Sequence, residues 1–198
     1  AYCISFYPDL FTHWENPSKT EVRAMLRDNL GRNWLSDGSN ALYIMKGIGM
    51  SPVYLSSSGQ LSQQPATFTQ QPVYCLTEDG QHRIWVGTKG DGVYLLTPTN
   101  ESRTAYRTEH FQHQVHDSQS LHSDTIWNVL QDTRGDIWLS SYEQGLSRAS
   151  LRDGKWVFRQ VKGLPNDVKI RCLMEVKPGI LLIGTTTGLL TADFRHSS

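Results

Sequence analysis

The chain has 198 residues, with 38% hydrophobic content and 19 basic residues balanced by 19 acidic ones. This length and composition suffice for an ordinary globular core. The balanced charge gives no net positive field, so the sequence predicts neither nucleic-acid binding nor direct contact with an anionic membrane surface. Apolar runs such as 180–183 are far too short to span a bilayer.

The first segment of the chain reads as two short strands, residues 4–7 and 10–14, around a Pro8-Asp9 turn. We expect these strands within 1–14 to be the outer strands of a preceding or closing sheet. The opening letters, AYCISFY, include no basic segment, so no signal peptide is expected within the chain. Residues 15–20 contain Asn, Pro and Ser and are predicted to form a loop.

Four segments then repeat one pattern in register, about 50 residues apart. Their cores are residues 22–45, 73–96, 126–149 and 170–193. With the first residue of each core as position zero, an aspartate recurs at position six and a tryptophan at position twelve. These residues are Asp28, Asp79 and Asp132, followed by Trp34, Trp85 and Trp138, whereas the fourth core has Val176 and Leu182 instead. We interpret both sets as structural.

Each repeat is predicted to contain short strands and no helix. The first strands, 22–27, 73–78, 126–131 and 170–175, have hydrophobic residues spaced as in a buried strand. The aspartate then opens a turn in which its carboxylate accepts backbone N–H groups. The second strand carries the tryptophan, a third follows at 93–96 and 146–149, and a fourth is clearest at 104–110 and 156–161.

This pattern predicts an all-β chain, a single β-propeller segment of about four repeats built as four-stranded antiparallel blades. Two closures fit the strand count. The strand at 10–14 could complete the last blade of a closed four-bladed ring, or the chain could be part of a seven-bladed propeller. Four blades is the low end for this architecture, so the sequence favours the larger propeller.

The repeats resemble the two-component regulator propeller repeat. The third copy, SLHSDTIWNVLQDTRGDIWLSS at 120–141 followed by Gly145-Leu146, is the nearest match, and the fourth has the lead-in GLPNDVKIRCL at 163–173. Departures from the family pattern are Ser36 and Ser140 in place of a strand-ending glycine, with Val176 and Leu182 in the last copy.

The resemblance implies a periplasmic sensor region of an inner-membrane hybrid two-component protein of Bacteroidetes such as Bacteroides, in which histidine kinase and response regulator are joined. Such regions sense glycan-derived oligosaccharides and regulate polysaccharide-utilisation genes. The expected partners are therefore an oligosaccharide, other blades or domains of the same parent chain, and a second copy in a homodimer. The segment itself is expected to be non-catalytic, and the alternatives are a carbohydrate-active lyase or hydrolase and an interaction scaffold.

The residues argue against cofactor, metal and catalytic sites. His110, His113 and His116 alternate faces along a strand and would not converge on one ion. The repeated aspartates are held apart by the repeat and do not form a pair of catalytic carboxylates. The cysteines Cys75 and Cys172 occupy the same repeat position in different blades, and we expect two buried thiols rather than a disulfide.

Propellers generally bind ligands where two groups of loops gather around the axis, the loops before each inner strand and the loops between the second and third strands. The candidate residues are therefore those at position one of each repeat and those in the second group of loops. Variable aromatic and charged side chains at such positions suit a sugar, because rings stack and charges bind hydroxyls or uronates. The candidates are Arg23, Tyr74, Trp127 and Arg171 at position one, with Lys89, Asp91, Tyr142 and Glu143 from the second group of loops.

Overall fold

A computed structural model describes residues 14–47, 50–141, 145–165 and 168–195 of the chain. All regular structure in these residues is antiparallel β-sheet, which confirms the predicted fold class. The described part of the chain contains no helix long and apolar enough to cross a membrane. The predicted strand at 4–7 and most of that at 10–14 lie outside the described residues.

The strands form four sheets in chain order, each a simple meander. The first sheet contains β1 (Val22–Arg27), β2 (Asn33–Asp37), β3 (Leu42–Met45), β4 (Val53–Leu55) and β5 (Leu61–Ser62). The second contains β6 (Val73–Glu78), β7 (Ile84–Thr88), β8 (Val93–Pro98) and β9 (Tyr106–Phe111). The third contains β10 (Asn128–Gln131), β11 (Ile137–Ser141), β12 (Gly145–Arg152) and β13 (Lys155–Gln160), and the fourth β14 (Ile170–Lys177), β15 (Ile180–Thr185) and β16 (Leu189–Asp193).

The sheets differ from the uniform four-stranded blade in two places. The first sheet has a fifth strand, because the irregular segment after β4 folds back as β5 and pairs with it. The fourth sheet has three strands in the described residues. In the third sheet the first strand begins at Asn128 rather than Ile126, since the Ile126 N–H donates to the Thr88 carbonyl of the neighbouring sheet.

The first strands of successive sheets lie side by side, with β6 between β1 and β10 and β14 beyond β10. Direct hydrogen bonds join them: Thr77 Oγ1 donates to the Val129 carbonyl (2.7 Å) and Asn128 Nδ2 donates to the Arg171 carbonyl (2.9 Å). The four sheets therefore fan outward from a common inner row, as the blades of a propeller do.

The repeated hydrophobic positions fill the spaces between neighbouring sheets. Position zero faces the preceding sheet, and Val73, Ile126 and Ile170 are fully buried there. The tryptophan faces the following sheet and is also fully buried in each of the first three sheets. Each tryptophan meets an aromatic ring from the outer part of the next sheet; the pairs are Trp34–Tyr106, Trp85–Trp156 and Trp138–Phe194, with centroids 5.4, 4.9 and 4.4 Å apart.

Position five provides a second link that recurs at all three interfaces between sheets. Its side-chain oxygen accepts the backbone N–H at position seven of the preceding repeat. The pairs are Glu78–Asn29 (2.7 Å), Gln131–Gly80 (2.5 Å) and Glu175–Thr133 (2.8 Å). In the first repeat this position is Arg27, a donor only, which cannot accept such a bond.

The two end sheets expose hydrophobic side chains at positions that are buried or partly buried between sheets elsewhere. On the first sheet Met25 is 73% exposed, whereas Leu76, its equivalent in the second repeat, is 8% exposed. On the fourth sheet Met174 and Leu189 are 55% and 65% exposed. The prediction that the first strand of the fourth repeat is a buried strand is therefore wrong for its outward face, because no described sheet follows it.

The repeated aspartate is the centre of a hydrogen-bonded turn. The Asp79 carboxylate accepts the Gln81 and Arg83 backbone N–H groups, the Arg83 guanidinium (2.7 Å) and the Trp85 indole N–H (3.0 Å). The indoles of Trp34 and Trp138 donate to Asp28 and Asp132 in the same way, each at 2.9 Å. The turn thus fixes the tryptophan that fills the interface with the next sheet.

Asp28 makes this turn sensitive to acid. Burial acts to raise the pKa of Asp28, but hydrogen bonds from Trp34 and from the Arg32 backbone and guanidinium outweigh burial and hold the pKa below its ordinary value of 3.8. A lowered pKa stabilises the fold above the unfolded-state value, and this stability is lost as the pH falls through the folded-state value. We expect the stability difference between wild type and Asp28→Asn to be largest near pH 7 and to shrink below about pH 4. Urea midpoints across this range measure it, and a constant difference would contradict it.

A cross-strand contact explains why the second strand carries glycine in two repeats and serine at the same position in the other two. Cys75 lies opposite Gly87 and Cys172 opposite Gly184. A Cβ atom added to either glycine would lie 2.5 Å from the facing sulfur. In the other two repeats Ala24 and Asn128 face Ser36 and Ser140, and Asn128 Nδ2 donates to the Ser140 hydroxyl (3.0 Å). The departures from the family pattern are therefore paired substitutions.

This pairing predicts that Gly87→Ser destabilises the wild type more than the Cys75→Ala background, in which the added Cβ still lies 2.9 Å from the Ile126 side chain. The two residues are in contact, so we expect an interaction energy of about 1–3 kcal/mol in the double-mutant cycle. Denaturant unfolding of the four proteins measures it. Additive effects would show that the Cβ clash is relieved elsewhere.

The two described thiols are free, as expected, but they differ in exposure: Cys75 is partly buried and Cys172 is exposed. Burial raises the pKa of the Cys75 thiol to about 12. Cys172 is exposed, and the prediction that it is buried is wrong. Its strand has no described sheet on its outer side, whereas Cys75 is packed against the third sheet.

Candidate functional site

The candidate side chains at position one leave the regular pairing of their strands. At Arg23, Tyr74 and Arg171 the register shifts by one residue, so each is the extra residue of a β-bulge between positions zero and two. Trp127 immediately precedes β10. A bulge re-aims the side chain that it carries, which separates these residues from the packed faces of the sheets.

The structure brings four of the eight candidates together in one row. The rings of Tyr74 and Trp127 lie with centroids 4.7 Å apart and planes inclined by 55°. The Arg171 guanidinium carbon is 5.2 Å from the Trp127 ring centre, and the Lys89 ammonium is 6.0 Å from that of Tyr74. We call Lys89, Tyr74, Trp127 and Arg171 the aromatic row. Both distances lie within the range of cation–π attraction.

Backbone hydrogen bonds hold the aromatic row in place. The Lys89 N–H donates to the Pro72 carbonyl (2.8 Å), and the Gly90 and Gly92 N–H groups both donate to the Asp124 carbonyl (2.9 and 2.8 Å). The loop between β7 and β8 is therefore attached to the segments that lead into both β6 and β10. This arrangement presents a partly exposed ring pair with a cation at each end.

The other candidates lie apart from the row or outside the described residues. Arg23 pairs with Glu21 at 2.6 Å. Asp91 accepts hydrogen bonds from the Tyr94 hydroxyl (2.5 Å) and from Gln112 Nε2 (3.0 Å). Tyr142 and Glu143 fall outside the described residues.

The histidines take separate positions. The ring of His110 stacks on Tyr94 with centroids 4.0 Å apart, and His113 Nδ1 lies 2.7 Å from the Leu121 carbonyl oxygen. Within the ranges that the structure describes, no group of three or more His, Cys, Asp or Glu side chains is placed to hold a metal ion.

Sequence reasoning missed the arginine that completes the structural turn. Arg32 and Arg83 stand at position ten and bond the repeat aspartate, each at 2.7 Å. Arg32 also donates to the Tyr106 hydroxyl (2.8 Å), and the Arg83 guanidinium lies 4.9 Å from the Trp156 ring centre. Their common spacing is the signal that could have identified them. Their contacts give the carboxylates of Asp28 and Asp79 a structural role in the turn.

Comparison with solved structures supports the propeller fold. The chain matches the extracellular domain assigned to a hybrid two-component system of B. thetaiotaomicron (TM-score 0.66, 20% identity), covering 90% of this chain and 24% of that one. It matches PorZ, a surface component of the type-IX secretion system of Porphyromonas gingivalis (TM-score 0.60, 16% identity), covering 86% and 25%. It also matches virginiamycin B lyase from Staphylococcus aureus (TM-score 0.52, 13% identity), covering 90% and 57%.

The chain thus spans about a quarter of the length of the first two structures. These three proteins have different activities, so at such identities the likeness establishes the fold alone. The search for similar curated sequences found no match. A family model for the two component regulator propeller matches residues 67–90, which include β6, β7 and Lys89. Over residues 67–90 the chain is therefore similar to the two-component regulator propeller repeat.

Proposed function

We propose that this chain is part of the periplasmic ligand-sensing propeller of a hybrid two-component signalling protein, and that it binds glycan-derived oligosaccharides that control polysaccharide-utilisation genes. The aromatic row carries the proposal. A tilted ring pair offers apolar faces on which sugar rings stack, and the cations at its ends bind hydroxyl or carboxylate groups. The match of residues 67–90 to the two component regulator propeller supports the signalling context, and these residues include Tyr74 and Lys89 of the aromatic row.

Binding without catalysis is the activity that fits these residues best. Three carboxylates recur at position six of the repeat, those of Asp28, Asp79 and Asp132. Each accepts an indole N–H and is almost fully buried. A glycosidase needs two carboxylates on either side of one bond, free to exchange protons. Repeated, enclosed aspartates are unsuited to that role.

We also propose that further blades of the parent protein pack on the two end sheets. Met25 on one side and Met174 and Leu189 on the other occupy positions that are buried or partly buried at interfaces between sheets elsewhere. Burying such side chains stabilises a fold by roughly 1.5–3 kcal/mol each. The larger propeller supplies these contacts, and a ligand that bridges blades would couple binding to their packing.

Isothermal titration of the chain with a panel of neutral and acidic glycan oligosaccharides tests the proposal, with product analysis of the same mixtures. We expect saturable binding and unchanged oligosaccharides. Cleaved products would show that the chain acts as an enzyme rather than as a sensor. Absence of binding by the chain, repeated for the full receptor, would reject glycan recognition.

A further inference from the structure

A groove of about 970 Å³ lies between the outer strands of the first sheet and the loop that joins β8 to β9 in the second sheet. The oligosaccharide site proposed above does not use it, since no member of the aromatic row lines the groove. Both walls belong to consecutive sheets that the structure describes, unlike the outer faces of the two end sheets. Its volume is in the range of small-molecule sites, which is roughly 300–1,000 Å³.

The floor of the groove is aliphatic, because neighbouring strands of the first sheet place branched side chains next to one another. Ile44 of β3 lies directly opposite Val53 of β4. Ile44 also lies opposite the repeat tryptophan Trp34, which faces the second sheet, so this row of side chains lines the space between the two sheets. Leu61 of β5 also lines the groove, so the fifth strand of this sheet widens its apolar surface.

The second sheet has a carboxylate at the place where the first sheet has Val53. Glu109 of β9 lies opposite Leu95, and Leu95 lies opposite the repeat tryptophan Trp85. Val53 and Glu109 are both only partly buried. Apolar surface in contact with water is unfavourable, and this comparison indicates that the packing of consecutive sheets does not require it at this position. A ligand with an apolar part would cover it.

Two basic side chains border this aliphatic floor. Arg32 and Lys46 stand one residue beyond the terminal cross-strand pair of β2 and β3, and both line the groove. The Arg32 guanidinium donates to Asp28, to the Arg103 carbonyl and to the Tyr106 hydroxyl, which together do not use all of its N–H groups. Lys46 is exposed and forms no ion pair with any residue in the described ranges. The groove thus joins apolar surface to a cation that no described carboxylate neutralises.

We propose that this groove binds an aliphatic carboxylate with a chain of medium length. The hydrocarbon chain packs on Ile44, Val53 and Leu61, and the carboxylate pairs with the Lys46 ammonium. A sugar is a poorer occupant, because the described lining residues include no aromatic ring on which it could stack. A neutral hydrocarbon would leave the charge of Lys46 unused. The chain therefore supplies most of the contact area, and the carboxylate supplies the selectivity.

Isothermal titration of the 198-residue chain with sodium decanoate, kept below the concentration at which it forms micelles, tests this proposal. We expect saturable binding that weakens with added salt, and no binding of butyrate or of decyltrimethylammonium, which has the same chain length and the opposite charge. Lys46→Glu should weaken decanoate binding at least about tenfold, which corresponds to about 1.4 kcal/mol. Val53→Glu, which copies the residue at the equivalent place in the second sheet, should weaken it as much.

Lys155→Glu is the matched control, since Lys155 is an exposed lysine on the outer strand of the third sheet. It should leave decanoate binding unchanged, and circular dichroism should show that all variants keep the wild-type fold. Equal loss in Lys155→Glu and Lys46→Glu would overturn the proposal, as would equal affinity for decyltrimethylammonium. Unchanged binding in a folded Val53→Glu variant would place the chain on another apolar surface and overturn it too, and so would failure of decanoate to bind.

Discussion

Replacing Asp79 by alanine is expected to lower the free energy of unfolding by about 3–5 kcal/mol, because it removes a buried, charged acceptor and leaves its donors without a partner. Asp79 is 3% exposed, and its carboxylate accepts hydrogen bonds from two backbone N–H groups, the Arg83 guanidinium and the Trp85 indole. Without it, the guanidinium stays partly buried without its counter-charge. The ring of Trp85, which fills the space against the third sheet, loses its anchor.

Urea or guanidinium denaturation followed by tryptophan fluorescence measures this loss. Asp117→Ala is a suitable control, since Asp117 is an exposed loop residue whose carboxylate accepts the Gln119 N–H at 2.8 Å. Its loss should cost about 1 kcal/mol or less. Asp79→Asn keeps the shape but removes the charge and replaces one of the two accepting oxygens by an NH2 donor. A stability equal to that of wild type in Asp79→Asn would show that neither the ion pair to Arg83 nor the hydrogen bonds to that oxygen are needed to hold the turn.

The in-register repeats made most of the sheet architecture predictable. Aspartate at position six and tryptophan at position twelve locate one turn and two strands in each of the first three copies, and β1 and β6 have the predicted bounds. The glutamate or glutamine at position five was also visible in the sequence, at Glu78, Gln131 and Glu175. Its role was not, because the N–H that it accepts belongs to the preceding repeat.

Features that depend on neighbouring sheets could not be read from one repeat. Cys75 and Cys172 both stand at position two of their repeats. Cys75 is packed against the third sheet, whereas Cys172 is exposed because no described sheet follows its own. The bulges at position one were equally hidden, since a bulge is a property of pairing between two strands. The extra strand β5 arises in an irregular segment without the repeat pattern.

The clustering within the candidate site follows from the side-by-side packing of the first strands of successive sheets. Position one of adjacent repeats predicts that Tyr74, Trp127 and Arg171 lie near one another on successive inner strands. It does not predict that Arg23 is engaged by Glu21, because that contact depends on the local path of residues 21–23. Nor does it predict that Lys89 and Asp91, which lie in the same loop, make different contacts. Lys89 lies near the Tyr74 ring, whereas Asp91 accepts a hydrogen bond from Tyr94.

Trp127→Ala is expected to weaken oligosaccharide binding by about 2 kcal/mol or more, which is roughly a 30-fold increase in Kd, because the variant removes the central ring of the aromatic row. Trp127 contacts both Tyr74 and Arg171, so its loss also separates the remaining members. Trp127→Phe keeps a ring for stacking and should recover most of the affinity. Arg171→Ala should reduce the affinity for acidic oligosaccharides more than for neutral ones, since it removes a charge at the end of the row.

Titration of these variants with the best oligosaccharide of the panel provides the measurement, and unfolding midpoints show whether each variant keeps the wild-type stability. Arg23→Ala is the matched control, since it occupies the equivalent position in the first repeat but pairs with Glu21 outside the row. Equal weakening by Arg23→Ala and Trp127→Ala would place the ligand elsewhere around the axis. Unchanged affinity in Trp127→Ala at full stability would show that the ring pair is a packing contact between inner strands, and the sugar site would then have to be sought on another part of the parent protein.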